Sequence, residues 1–270
     1  MTTEDGRAER VSAGGVLLRS DSDRVRTLTL NRPERSNALN SELSAQLAAE
    51  MAAAEADRDV WAVVLTGTGN SFCAGVDLKE MARADDGQAR QVRSPVSATR
   101  SVFEMMLQME TPVIGALNGH AVAGGFELAL ACDMRIVAAG AQLGVPEARR
   151  GMGAAFASVV LPRMIPLGLA LELLFTGRYI GAQDALRLGL ANQVVPAGEV
   201  AGVAASLAAA IVSNAPLTVR RMKANARGTS GIPLLTALHL DLGPDPYASE
   251  DRVEGVRAFV EKRPPNWSNR

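Results

Sequence analysis

Strand-like and helix-like patterns of hydrophobic residues alternate along the first two thirds of the chain. The earliest, in residues 16–33, consists of two apolar and β-branched runs on either side of a turn-forming cluster at residues 21–23. Asp and Ser favour turns, and Pro33 cannot continue a paired strand. This segment therefore predicts an N-terminal β-hairpin.

A helical period follows the hairpin. Asn40 or Ser41 supplies a helix cap, and apolar side chains then recur three and four positions apart. The residues on this apolar face are Leu43, Leu47, Met51 and Ala54. Residues 61–67 return as an apolar run that Gly67 stops, so the pattern predicts a β-α-β unit.

The alternation continues after a polar stretch at residues 82–93, which is predicted to be a mobile loop. The predicted elements beyond it are a helix over 97–109, a strand over 111–119, a helix over 125–132 and a strand over 134–139. From about Pro196 onward only helical segments follow, separated by Pro216, Gly231 and residues 243–246. The chain therefore predicts an α/β fold with a helical C-terminal region.

The composition narrows the class of protein. The chain has 270 residues, 47% of them hydrophobic, and a formal net charge of −1, which suits one large core and leaves no basic face for nucleic acid. No window approaches the roughly 18 uninterrupted apolar residues of a membrane span, and the charged N terminus lacks the apolar centre of a signal peptide. We expect a cytoplasmic protein with a small-molecule partner and neither nucleic acid nor membrane as a partner.

The chain contains two cysteines and two histidines. Cys73 and Cys132 both lie in apolar segments, which suits a reducing compartment, and His120 and His239 are too widely spaced to complete a standard zinc cluster with them. We expect no disulfide and no metal. His120, at the predicted end of a strand, is interpreted as a packing residue.

Two glycine-containing segments are placed to present backbone N–H groups. In "SFCAGVDLKEM", Gly75 allows a turn between a strand and a helix capped by Asp77, and in "AVAGGFE" a helix begins at Gly124 and Gly125. The first N–H groups of a helix lack internal partners and lie at the positive end of its dipole, so a ligand oxygen can bind there. Tight turns explain either segment alone, whereas the two together favour a binding site.

Two glutamates stand in apolar surroundings. Glu127 lies in the first turn of the helix that begins at the glycine pair, and Glu147 follows Pro146 at the end of a short extended piece. Burying a carboxylate costs free energy or shifts its pKa, so each position needs a reason. A helix-dipole interaction for Glu127 and an ion pair with Arg149 or Arg150 for Glu147 are as plausible as catalysis when taken singly. Together with the two N–H segments, they indicate a catalytic site.

Other sequence motifs give no alternative chemistry. Residues 67–72 and 151–156 begin like a dinucleotide-binding fingerprint but place Phe where the third small residue belongs. No P-loop and no G-x-S-x-G segment occurs. We therefore expect no nicotinamide cofactor and find little support for nucleophilic catalysis.

Four motifs, in order, carry a resemblance to a known family. They are "LNRPERSNALN", "SFCAGVDLKEM", "PVIGALNGHAVAGGFELALACD" and "LGVPEARRGM". The chain resembles the crotonase superfamily over nearly its whole length, from about Val16 to the C-terminal "AFVEKRPPNW", and is most similar to enoyl-CoA hydratases. The resemblance implies a crotonase-like spiral of ββα units over residues 1–200, with residues 1–14 flexible. It also implies a helical C-terminal oligomerisation region over residues 201–270, a coenzyme A thioester as substrate, and a homotrimer or homohexamer.

The resemblance also implies roles for individual residues. The N–H groups of Ala74 and Gly124 would form an oxyanion hole, Glu127 and Glu147 would be catalytic, and no cofactor is needed because coenzyme A is part of the substrate. The adenine and phosphate end of coenzyme A would meet Phe259 and Lys262 on one helix face, commonly from a neighbouring subunit. The remaining residues implied in substrate and coenzyme A binding are Arg35, Ser36, Ala38, Val76, Asp77, Leu78, Gly125 and Pro146.

These residues suit the addition of water to a conjugated thioester. Negative charge develops on the thioester oxygen, where two N–H donors would stabilise it, and two carboxyl groups would handle the protons. Three alternatives stay open: a double-bond isomerase, a carnitinyl-CoA dehydratase-like enzyme, and a non-catalytic acyl-CoA binder, although a binder needs neither carboxylate. The segment "GMGAAFASVVLPR" departs from the Gly-rich stretch of typical hydratases and lines the acyl pocket, so a crotonyl substrate does not follow from the resemblance.

Overall fold

The computed structural model describes residues 15–88 and 101–270, and two sheets organise them. The predicted mobile residues 1–14 lie outside the described part. The larger sheet has six strands in the order β1-β2-β3-β5-β7-β10, and the smaller has four in the order β4-β6-β8-β9. The strands of the larger sheet are β1 (Leu17–Ser22), β2 (Val25–Leu30), β3 (Ala62–Gly67), β5 (Val113–Leu117), β7 (Met134–Ala138) and β10 (Gln193–Val195). Those of the smaller sheet are β4 (Ser71–Cys73), β6 (His120–Val122), β8 (Gln142–Gly144) and β9 (Ile180–Gly181).

The chain visits the two sheets in turn. Each of β3, β5 and β7 lies in the larger sheet and is followed by β4, β6 and β8 in the smaller one, before helices return the chain to the start of the next pair. Within the larger sheet β2, β3, β5, β7 and β10 pair in parallel, whereas β1 and β2 form the antiparallel hairpin. The predicted α/β class and its spiral of ββα units are confirmed.

Eleven helices accompany the strands of the described residues. The first seven are α1 (Ser41–Ala56), α2 (Leu78–Gln88), α3 (Val102–Gln108), α4 (Gly124–Ala131), α5 (Ala157–Met164), α6 (Leu167–Thr176) and α7 (Ala182–Arg187). The last four are α8 (Val200–Val212), α9 (Pro216–Gly228), α10 (Leu234–Ala237) and α11 (Glu250–Glu261). The helical C-terminal region is thus present as predicted, although the predicted boundary at residue 200 stays a prediction.

Local sequence explains the best-defined helix starts. Asn40 caps α1 by accepting the Leu43 N–H, and the four apolar residues predicted for its inner face are all buried. Ser101 and Glu104 form a reciprocal capping box at the start of α3. In α4 all eight residues are buried, as expected for a helix enclosed by neighbouring elements rather than lying on the surface.

The structure corrects the loop predicted at residues 82–93. Helix α2 continues to Gln88, and residues 89–93 lie outside the described part. The predicted helix over 97–109 is observed as α3 (Val102–Gln108), with its first four predicted residues outside the described part. Strands β6, β9 and β10 and helices α5, α6 and α7 were not predicted. These three strands have only two or three residues, which are too few to show an alternating pattern.

Among the described residues no single helix is long and apolar enough to cross a membrane. The segments Ala197–Val212 and Pro216–Gly228 meet that criterion only as a pair bent by 104°.

The interpretation of His120 as a packing residue at a strand end is wrong. His120 is exposed at the start of β6, where its Nδ1 accepts the N–H of Gln142 at 3.1 Å.

Candidate active site

The loop after β4, which is the first predicted N–H segment, packs against the chain around Leu39. Leu39 bridges to Val76: its N–H donates to the Gly75 carbonyl at 2.7 Å, and its own carbonyl accepts the Asp77 N–H at 2.9 Å. The loop after β4 is thereby held against the segment that carries Ser36 and Ala38. The structure brings these residues together although they are about forty positions apart in the sequence.

The predicted role of Ala74 as an N–H donor is contradicted. Its N–H already donates to the Ser36 carbonyl at 3.0 Å, so it is not available to a ligand. Among the described residues, neither Val76 nor Gly124 has a hydrogen-bond acceptor for its backbone N–H. A Cβ added to Gly124 would lie 3.7 Å from the Val76 nitrogen, which places the two N–H groups close together. The donor pair is therefore Val76 and Gly124.

Backbone strain sets the position of Gly124. Ala123, the residue before α4, has φ 54° and ψ −130°, a conformation that residues with a Cβ rarely adopt. Its N–H donates to the Gly144 carbonyl at 2.8 Å, and its carbonyl accepts from Phe126 and Glu127. These contacts hold the strained turn that starts the helix, and such strain is concentrated at functional sites.

Gly125 is required for packing. A Cβ at this position would lie 2.0 Å from the Cys73 carbonyl oxygen, so only glycine allows α4 to approach β4 this closely. Cys73 and Cys132 are both buried and free. The close approach of α4 to β4 brings Gly124 next to the loop that carries Val76, so Gly125 acts on the site by allowing that contact.

Other predicted binding residues have structural partners. The Asp77 carboxylate accepts from Arg32 at 2.9 Å and caps α2 through the N–H groups of Lys79 and Glu80. Pro146 is buried at the start of the 3-10 turn Pro146–Arg150. Arg35 is exposed and Ser36 adopts a left-handed conformation, while Leu78 is the exposed first residue of α2.

Phe259 and Lys262 are both exposed, Phe259 by 85%. The prediction that they share a regular helix face is wrong, because α11 ends at Glu261 and Lys262 adopts a left-handed conformation with φ 56°. Because Phe259 is exposed, it does not pack in the core of the single chain. No hydrogen bond of the described residues connects α11 with the loops around Gly124 and Val76.

Both predicted glutamates are buried, and each meets a different environment. Glu127 is 8% exposed, and its Oε1 accepts the Ala157 N–H, from the start of α5, at 2.9 Å. Glu147 is 6% exposed, and its Oε2 is buried without a hydrogen-bond partner among the described residues. A buried carboxylate oxygen without a partner is costly in a folded protein, and a bound water or ligand would satisfy it.

Burial shifts the pKa of both carboxyl groups upward. It raises the pKa of Glu127 to about 7, against the hydrogen bonds from Ala157 and Phe156, and the nearby Glu147 carboxylate adds to the rise. Burial also raises the pKa of Glu147, against the lowering effect of its own backbone N–H and of Arg150. The two groups interact, and a pair of this kind can hold one proton near neutral pH. No group of three or more His, Cys, Asp and Glu residues in the described ranges could hold a metal ion.

The raised pKa of Glu127 predicts how the free energy of unfolding changes with pH. An unfolded Glu has its ordinary pKa, so between this value and about 7 the folded state binds more protons and stability falls as pH rises. Glu127→Gln removes that titration and keeps an oxygen for the Ala157 N–H. We expect the variant to gain up to about 3 kcal/mol over the parent at pH 8, and none of this gain near pH 4.

Denaturant unfolding of parent and variant at both pH values measures this difference. Glu199→Gln is a matched control, because it makes the same substitution at an exposed glutamate instead of a buried one. An equal gain for Glu127→Gln at both pH values would show that Glu127 is not destabilised by its charge.

Sequence reasoning missed the groups that hold the Glu127 carboxylate. The N–H groups of Phe156 and Ala157 come from the start of α5, about thirty residues beyond Glu127. No spacing in the sequence signals this contact, because it depends on how α5 packs against α4. The choice of Val76 over Ala74 also required the structure, since both flank Gly75.

Comparisons with known proteins identify the family of this chain. The family model described as Enoyl-CoA hydratase/isomerase matches residues 20–270. The chain is 37% identical over 252 residues to a short-chain-enoyl-CoA hydratase of Clostridium acetobutylicum, covering 92% of this chain and 95% of the relative. It is also 37% identical over 254 residues to a carnitinyl-CoA dehydratase of Proteus mirabilis, covering 91% and 95%. The solved structure of an enoyl-CoA hydratase from Mycobacterium tuberculosis H37Rv superposes with a TM-score of 0.86 at 34% identity, covering 95% of this chain and all of that one.

Proposed function

Because the chain belongs to the enoyl-CoA hydratase/isomerase family, we propose that it adds water across the α,β double bond of an enoyl-CoA thioester. The observation that carries this proposal is a pair of buried carboxyl groups with raised pKa values, Glu127 on the helix whose first N–H is an unpartnered donor and Glu147 on the 3-10 turn Pro146–Arg150. A protein that only bound acyl-CoA would need neither buried carboxylate.

Two backbone donors meet the thioester oxygen in this mechanism. The N–H groups of Val76 and Gly124 donate to it, and their bonds strengthen as negative charge moves there from the double bond. Losing one such donor typically costs about 3 to 4 kcal/mol of transition-state stabilisation. The strained Ala123 turn holds Gly124 in place, so no reorganisation is needed during the reaction.

The two glutamates handle the water and the protons. One carboxylate takes a proton from the water as its oxygen bonds to the β-carbon, and the electron pair of the double bond moves to the thioester oxygen as an enolate. The α-carbon of the enolate then takes a proton from the other carboxyl group, so the reaction adds the elements of water and leaves the pair with one proton. A pKa near 7 suits this task at neutral pH.

Mixing the protein with an enoyl-CoA tests the proposal directly. The conjugated thioester absorbs in the ultraviolet, and hydration removes the conjugation, so the absorbance falls. Mass spectrometry of the product separates the candidate activities, because hydration adds the mass of water and isomerisation leaves the mass unchanged. Tight binding without any change in the thioester would support a non-catalytic acyl-CoA binder instead.

Exposed apolar side chains support assembly into a homotrimer or a homohexamer of two trimers. Helix α10 and the residue after it present Leu234, Leu235 and Leu238, and α11 presents Val256 and Val260, each more than half exposed in the single chain. Several exposed large apolar side chains in one region of the chain are typical of subunit interfaces. Light scattering of the purified protein measures the number of subunits.

Phe259 and Lys262 are proposed to bind the nucleotide end of coenzyme A. Both are exposed, one offering an apolar ring and the other a cation, which suits an adenine and a phosphate. Lys262→Ala is expected to raise KM for the coenzyme A thioester by about tenfold, the worth of one charged hydrogen bond. KM for a truncated pantetheine thioester should not change, since that substrate lacks the contact.

Steady-state kinetics with both thioesters measures the two effects. Lys79→Ala, at an exposed lysine of α2, provides a matched loss of charge. An equal effect of Lys262→Ala on the two substrates, or no effect on either, would show that this end of the chain serves only folding and assembly.

A further inference from the structure

The groups of the site define a direction along α4. The donor N–H of Gly124 is at the first residue of this helix, and Glu127 follows three residues later, about one turn or 5 Å along the axis. The Glu127 carboxylate in turn reaches the start of α5, where it accepts the Ala157 N–H. A thioester whose carbonyl lies at Gly124 and whose double bond lies at the glutamates therefore directs its remaining acyl carbons towards Phe156 and Ala157.

An aromatic pair stands at that end of the path. Phe156 is the residue before α5, and its ring lies 5.3 Å from the ring of Phe103 on α3, centroid to centroid, at an interplanar angle of 44°. This separation is direct ring contact, so no methylene chain passes between the two rings. Both side chains are partly buried and pack against the main core. The pair thus lies between α3 and the start of α5, next to the backbone N–H groups that hold the Glu127 carboxylate.

We propose that the Phe103–Phe156 pair is the far wall of the acyl pocket and selects compact acyl groups over long straight chains. The inference rests on the proposed function, because it takes the same thioester as ligand, but it concerns the length of the acyl group and not the reaction. The two rings come from separate segments of the chain, so this wall exists only through the contact between Phe103 of α3 and Phe156 before α5.

The proposed wall should change the ratio of affinities for long and short acyl groups by a factor that can be estimated. A hydrophobic pocket discriminates between substrates that differ by one methylene by about 10-fold or more. Removing one ring opens space for several methylenes, so Phe156→Ala should raise the preference for octanoyl over butyryl groups by at least about 10-fold. The substitution leaves the N–H donors of Val76 and Gly124 and the two glutamates in place. Phe156 contacts Glu127 through its backbone N–H, which alanine keeps.

The experiment measures dissociation constants of butyryl-CoA and octanoyl-CoA by calorimetry for the parent, Phe156→Ala and Phe103→Ala. These saturated thioesters bind without reacting, so the result does not depend on hydration. We expect the parent to bind the octanoyl group no better than the butyryl group, and either variant to favour the octanoyl group by about 10-fold or more over the parent ratio. The kcat/KM ratio for octenoyl-CoA and crotonyl-CoA should shift in the same direction.

Matched variants separate specificity from folding. Phe175→Ala on α6 removes a ring that is 73% exposed, and its affinity ratio should equal that of the parent. Phe156→Leu keeps an apolar side chain and tests the wall if the alanine variant does not fold. An unchanged octanoyl-to-butyryl ratio in the folded variants, or an equal loss of affinity for both, would overturn the proposal. A parent that binds these thioesters with the expected ratio but does not hydrate would instead reject the proposed function.

Discussion

Replacing either Glu127 or Glu147 by glutamine is expected to lower the hydration rate by at least about a hundredfold, because positioned acid–base groups are typically worth that much. Glutamine keeps the size of the side chain and cannot exchange protons. Both residues are buried, and Oε1 of Glu127 keeps its acceptor role towards Ala157 as an amide oxygen. Thioester binding should therefore survive while turnover is lost.

Stopped-flow or steady-state absorbance at saturating thioester measures this loss. Glu199→Gln, at an exposed position, should hydrate at the parent rate and controls for the substitution itself. A parent-like rate for Glu127→Gln or Glu147→Gln would remove that residue from the mechanism. If Glu127→Gln lost hydration but still moved a double bond, isomerisation would become the better description of the natural activity.

The second large effect is expected from Gly124→Pro. Proline is tolerated at the first position of a helix, where its fixed φ suits the backbone, but it has no N–H to donate. We expect kcat to fall by about 10²–10³, the usual result of removing one oxyanion donor. A Cβ at Gly124 meets only ordinary contacts, the nearest at 3.6 Å, whereas the proline ring also restricts the backbone of Ala123, so the fold of this variant is measured alongside kcat.

Gly124→Ala is the matched variant for this test. It adds a Cβ in the same place and keeps the N–H, so it should retain much more turnover than the proline variant. Thermal unfolding of both variants shows whether they are folded. A folded Gly124→Pro protein with unchanged kcat would show that this N–H does not stabilise the thioester oxygen.

The residues of the site could be found in the sequence because each needs an unusual local environment. Glu127 stands out as a carboxylate in an apolar helix, and Gly125 as a glycine at a helix start, and the structure gives a physical reason for both. The inner face of α1 was also predictable, since four apolar residues at helical spacing have only one way to be buried together.

Residues that act through a contact with a distant segment could not be found in this way. Ala74 and Val76 both flank Gly75, and the sequence gives no reason to prefer one as a donor. The choice depends on Ser36, whose carbonyl takes the Ala74 N–H only after two loops have packed together. Likewise, α11 ends at Glu261 because Lys262 adopts a left-handed conformation. Lys262 therefore does not share a helix face with Phe259, although the spacing of the two residues predicts that it should.

The sequence by itself determined the alternation of the longer strands and helices, the helical C-terminal region and the presence of two glutamates in apolar surroundings, because these depend on local propensity and on the cost of burying polar groups. Only the tertiary structure decided which N–H groups are free, what raises the pKa of Glu127, and that Phe103 meets Phe156. These features arise between segments distant in the sequence, where hydrogen-bond pairing and burial are fixed by the packing of α4 against β4 and by the contact of Phe103 on α3 with Phe156 before α5.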